Sequence, residues 1–113
     1  MIDEPARLEN FVALSLLKSV RYLQDSKGVN TSLSYLRTRD NKEVDFALVT
    51  DDTLQEIIEV KTSDTTPSKT LIYFGERQNV PMTQVVKNMS RPELLTDGVR
   101  IVRMKEYLEG LAL

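Results

Sequence analysis

The chain has 113 residues, enough for one domain with one core, and its 41% hydrophobic and 28% charged residues are ordinary for a globular protein. It contains neither cysteine nor histidine, which excludes disulfides, thiolate or imidazole metal sites and every His-dependent catalytic arrangement. Any catalysis must rest on carboxylates, lysine, tyrosine, hydroxyls or a hard metal ion. The net charge of −2 argues against a dedicated high-affinity nucleic-acid binder.

Residues 4–24 read as a long amphipathic helix, with Pro5 in its first turn and Asp3 as N-cap. Glu9 falls on the same stripe as Val12, Ala13, Leu16 and Val20. An acid on an apolar stripe costs stability unless it is paired, reaches solvent or ligates something. Lys27-Gly28-Val29-Asn30-Thr31 breaks the helix. Ser32–Arg39, Lys42–Val49 and Leu54–Lys61 are three strand candidates, joined by turn signals at Asp40-Asn41 and Thr50-Asp51-Asp52-Thr53. They predict an antiparallel meander. Thr62–Ser68 is a polar loop whose Ser68 or Thr66 can cap a helix over Lys69–Arg77. That helix ends at Asn79-Val80-Pro81. Thr83–Lys87 is a strand, Met89–Gly98 a loop, Val99–Arg103 a last strand and Lys105–Leu111 a terminal helix. The order α-β-β-β-α-β-β-α predicts an α/β/α sandwich around a mixed sheet.

Two groups carry the chemistry: Glu43-Val44-Asp45-Phe46 and, thirteen residues on, Glu59-Val60-Lys61. Strand alternation puts Glu59 and Lys61 on one face and turns Asp45 away from Val44 and Phe46. If the two strands pair, two carboxylates and one ammonium converge. Carboxylates can hold a divalent cation, and a nearby lysine can orient a water. A lone Glu-x-Lys more often forms an ordinary cross-strand ion pair. Here Asp45 has apolar neighbours on both sides, Ile57-Ile58-Glu59-Val60-Lys61 is too apolar for a free edge, and Glu9 adds an acid on the preceding helix.

Charge is unevenly spread. Residues 1–67 carry 8 basic and 12 acidic side chains, a balance of −4, whereas residues 68–105 carry 7 basic and 3 acidic, a balance of +4. A basic flank beside an acidic site suits a phosphate backbone, and equally an unevenly charged solvated surface.

The order helix-Glu9, strand-Asp45, strand-Glu59-Val60-Lys61, helix resembles the PD-(D/E)XK nuclease superfamily. Arg7-Leu8-Glu9-Asn10-Phe11-Val12-Ala13-Leu14, Ser34-Tyr35-Leu36-Arg37-Thr38, Ser68-Lys69-Thr70-Leu71 and the ending Arg100-Ile101-Val102-Arg103…Tyr107-Leu108-Glu109-Gly110-Leu111 extend the likeness. Together they look like the C-terminal domain of unknown function appended to prokaryotic AAA-type ATPases. The chain departs from the pattern in having Val44 where the superfamily's name has proline. It also lacks a Gly-rich phosphate loop, so it is expected to be a piece of a longer ATPase-containing protein or a stand-alone copy.

The resemblance implies a restriction-endonuclease-like fold over residues 1–113 and Mg²⁺ or Mn²⁺ held by Asp45, Glu59 and the Val60 carbonyl. It implies that Glu9 helps hold a water or a second cation, and that Lys61 orients the attacking water. Arg37, Lys69 and Arg77 become candidates for phosphate contacts. The expected function is metal-dependent phosphodiester hydrolysis on DNA or RNA in association with an ATPase module. The alternative is a non-catalytic interaction or regulatory module of that ATPase, and a third reading is charges that merely pair on the sheet. A homodimer is permitted. No apolar run approaches the roughly 20 residues that span a bilayer, and acids precede the first apolar stretch where a signal peptide would be basic. No membrane association and a cytoplasmic location are therefore expected.

Overall fold

A computed structural model describes residues 4–37 and 43–111, the side chains of 35–37 and 43 excepted. The expected turn at Asp40-Asn41 and the Asp3 cap lie outside the described residues, as does the Arg37 side chain. The elements run α1 (Glu4–Lys27), β1 (Thr31–Arg37), β2 (Glu43–Thr50), β3 (Thr53–Lys61), α2 (Lys69–Gln78), β4 (Met82–Val86), β5 (Glu93–Thr96), β6 (Val99–Arg103) and α3 (Met104–Glu109). One six-stranded sheet has the spatial order β1-β2-β3-β4-β6-β5.

β1, β2 and β3 form the expected antiparallel meander. The β2–β3 turn closes Thr50 on Thr53 through Asp51 and Asp52, both in the left-handed region at φ 50° and 62°. Aspartate tolerates that region, and its twist matches a two-residue hairpin. The chain then crosses through α2 to place β4 parallel to β3, and β6 lies parallel to β4.

The segment Met89–Gly98, expected to be a loop, contains β5. This strand pairs antiparallel with β6 through a turn at Asp97 (φ 52°) and Gly98 (φ 79°). An Asp-Gly step with both φ positive is the strongest short hairpin signal. The expected element order is therefore corrected by one strand, to α-β-β-β-α-β-β-β-α.

Helices cover both faces of the sheet. On one, α1 buries Leu8, Val12 and Leu16 against Phe46, Ile58, Val60, Val85 and Val102, joined by Met104 and Tyr107 of α3. On the other, α2 buries Leu71 and Phe74 against Val44, Ala47, Ile57, Val86, Val99 and Ile101. β3 and β4 are buried from both sides, which is why Ile57-Ile58-Glu59-Val60 and Thr83-Gln84-Val85-Val86 read as continuous runs rather than alternations. None of the described helices is long and apolar enough to cross a membrane.

Candidate functional site

Asp45 owes its orientation to a β-bulge. Ser34 pairs with Ala47 and Leu36 with Val44, so three steps along β2 oppose two along β1. The extra residue falls at Asp45-Phe46, and bulges of this kind re-aim side chains. Alternation breaks there. Val44 enters the α2-side core while Phe46 enters the α1-side core. The expectation that Asp45 simply faces away from both neighbours is thus corrected.

β2 also parts from β3 at this point, the ladder running from Thr50↔Thr53 only as far as Phe46↔Ile58. In the fork, the Val60 N–H donates to Asp45 Oδ2 at 2.8 Å. A side-chain carboxylate replaces the strand carbonyl that would otherwise satisfy this donor.

Burial pushes the Asp45 carboxyl up to about 6, and the neighbouring Glu9 carboxylate pushes the same way. The Val60 N–H and the Lys61 ammonium partly offset these effects. Glu59 is also held above its ordinary range, first by burial and then by Asp45, against the pull of Ser68 and Lys61. Glu9, Asp45, Glu59 and Lys61 therefore share one electrostatic neighbourhood, as the sequence predicts. Glu59 is 8% exposed, and its Oε2 is buried without a hydrogen-bond partner. Lys61 Nζ lies 3.7 Å from that oxygen, within ion-pair reach but too far for a hydrogen bond.

A residue that sequence reasoning did not single out braces the site. Gln84 lies opposite Glu59 on β4 and is fully buried. Its Oε1 accepts from Ser68 N at 2.9 Å, and its Nε2 donates to the carbonyls of Asp64 and Thr66 at 3.1 and 3.0 Å. One amide thus pins the whole β3–α2 loop. Ser68 in turn caps α2, its Oγ accepting from Leu71 N, and stands near enough to Glu59 to favour its ionised form. The available signal was a glutamine inside an otherwise apolar strand, since a buried amide needs several partners.

The chain matches, over residues 6–107, the family described as Domain of unknown function (DUF4143). It belongs to that family. No curated protein and no solved structure matches it. The family's span includes every acid of the fork, the Gln84 brace and both cores.

The chemistry of the fork suits a hard divalent cation. Its donors are carboxylate oxygens, one of them a buried acceptor with nothing to accept from. Among the described residues, no group of three acidic side chains is already gathered to hold an ion. An ion would therefore draw the carboxylates together and stabilise the ionised forms that burial, and to a lesser degree mutual repulsion, now disfavour. Of the candidate phosphate contacts, Lys69 opens α2 beside Ser68 and is exposed. Arg77 lies at the far end of α2, about 12 Å along its axis, with its guanidinium 4.2 Å over the Tyr73 ring. The structure places it away from the fork.

Proposed function

We propose that this domain hydrolyses phosphodiester bonds of DNA or RNA with Mg²⁺ or Mn²⁺, as a restriction-endonuclease-like member of the PD-(D/E)XK superfamily working beside an AAA-type ATPase. The observation that carries this reading is the fork itself. A bulge aims Asp45 at the strand end where Glu59 holds a buried, unpartnered oxygen beside Lys61. Asp45, Glu59 and the Val60 carbonyl would hold the ion, with Glu9 as an auxiliary acid. When bound, such an ion polarises a phosphoryl oxygen and makes water a better nucleophile.

The chain's own residues supply the rest. The Val60 N–H fixes the Asp45 carboxylate in one orientation. Lys61, part-exposed and beside Glu59, positions a water and offsets negative charge growing on the phosphoryl group. The Gln84 brace fixes the β3–α2 loop and so holds Ser68 near Glu59.

The test is cleavage of labelled single- and double-stranded DNA and RNA in Mg²⁺ and in Mn²⁺, beside a Lys61→Ala variant. Cleavage should require the metal and disappear in the variant. The variant should stay folded, because Lys61 is part-exposed and its ammonium, 3.7 Å from the buried Glu59 carboxylate, makes no hydrogen bond to it. Equal cleavage by both proteins would remove Lys61 from the mechanism.

A second reading has its own observation. The outer face of α1 exposes Phe11 (57%), Leu14 (60%) and Leu17 (38%), apolar surface that a docking partner would cover. In a non-catalytic module for the ATPase this face would be the working part. No substrate would be cut under any metal condition, while Leu14→Arg would abolish association with the ATPase.

A further inference from the structure

A cavity of about 270 Å³ lies beside the fork, lined by Glu4, Arg7, Leu8, Phe11 and Lys87. One link ties it to the candidate site. The Lys87 N–H donates to the Lys61 carbonyl at 3.1 Å, so the cavity's basic wall continues the strand end that carries Glu59 and Lys61. On α1, Arg7 and Phe11 lie one turn apart and share a face, while Glu9, two residues from each, faces elsewhere.

The lining is of two kinds. Leu8 is a buried apolar floor and Phe11 an aromatic ring that the protein leaves more than half exposed. Arg7 and Lys87 are cations at the rim, and Glu4, the one acid there among the described residues, is engaged with Lys87 at 3.1 Å. An exposed ring beside paired cations is the equipment for one nucleotide of an unpaired strand. The base stacks on the ring, and the adjoining phosphates meet the cations. A duplex keeps its base faces stacked internally and presents none to such a ring.

We infer that Phe11, Arg7 and Lys87 form a nucleotide-binding subsite that makes single-stranded nucleic acid the preferred substrate. The inference takes its substrate class from the phosphodiesterase reading and adds strandedness to it. Glu4 acts as a placeholder. It holds Lys87 until a phosphate replaces it, so it opposes binding rather than assisting it.

Fluorescence anisotropy of a labelled oligothymidylate and of a duplex of equal length, with a chelator present so that nothing is cut, tests this. The single strand should bind more tightly than the duplex. Phe11→Ala should weaken single-strand binding by about tenfold, while Phe11→Tyr retains it. Arg7→Gln should lower the slope of log affinity against log salt by about 0.7, the value for one phosphate contact on a single strand. Glu4→Gln should tighten binding, a gain that a merely structural Glu4–Lys87 pair does not produce.

Equal binding of single strand and duplex, or a Phe11→Ala variant that binds like the wild type, overturns the inference. If cleavage still depends on Lys61 in that case, the phosphodiesterase reading stands without the subsite. If the wild type neither binds nor cuts any nucleic acid, both fall together.

Discussion

Asp45 is the residue on which the site's behaviour turns, and its acidity makes a signed prediction. Its carboxyl ionises near the ordinary 3.8 in the unfolded chain and at about 6 in the fold. Between those values the folded state holds the extra proton, so stability falls as pH rises through the window and stays low above it. Glu59 and Glu56 are shifted the same way by burial and add to the trend. Glu106, drawn down to about 2 by Arg103, loses its stabilising contribution as pH falls below its ordinary 4.5, so it opposes the trend only at the acid end of the window and leaves a comparison of pH 5 with pH 7 nearly untouched. The metal-free protein should therefore melt at a higher temperature at pH 5 than at pH 7. Asp45→Asn keeps an oxygen for the Val60 N–H while removing the charge. It should raise the melting temperature at pH 7 and flatten the dependence. A variant that melts lower, with an unchanged slope, would assign the effect elsewhere. The acids and the lysine were legible one by one, because strand period and an acid on an apolar helix stripe are local signals. The bulge that aims Asp45 was not, because Val44 and Phe46 are equally apolar and only the register against β1 shows that they enter opposite cores.

Among the elements, those with a strong local signature follow the sequence closely. α1 shows its helical stripe. The meander shows its turns, and α2 shows its Ser68 cap and its left-handed Asn79 at φ 52°. β5 escaped because it is a four-residue edge strand whose two leucines are adjacent in sequence, so apolar and polar residues do not alternate although burial does. Its Asp97-Gly98 turn nevertheless carried the hairpin signal. The β3–α2 loop is the element on which the site depends most, and its order comes from Gln84 rather than from its own polar sequence. Gln84→Met preserves volume while removing three hydrogen bonds to the loop. Most of the freed backbone groups can reach water once the loop loosens, so the loss should be about 2 kcal/mol, measured by urea denaturation. The same variant should speed amide exchange at Thr66 and Ser68 more than in β4 itself. Uniform acceleration across the sheet would instead make Gln84 a general core residue.

At the scale of the whole molecule, the fold concentrates acids where β2 and β3 part and leaves them mutually repelling, although the net charge is only −2. A domain stabilised for its own sake would place apolar or paired groups there, since a buried carboxylate oxygen without a partner is costly. The cost becomes intelligible if a cation completes the site, and that makes stability depend on metal by mass action. A ligand at a hundred times its dissociation constant adds about 2.7 kcal/mol, on the order of 10 °C for a domain of this size. Thermal melts with and without Mn²⁺ should show a rise of that order at pH 7. The rise should shrink as pH falls through 6, where Asp45 takes up its proton. Asp45→Asn and Glu59→Gln should each melt higher than the wild type without metal and lose most of the rise with it. Lys61→Ala should keep the rise or enlarge it, because it removes a competing cation from beside Glu59. That division among the variants separates holding an ion from using one. If Mn²⁺ moves none of the melts, the carboxylates are ordinary sheet charges paired with Lys61, and the metal-dependent reading fails before any substrate is tried.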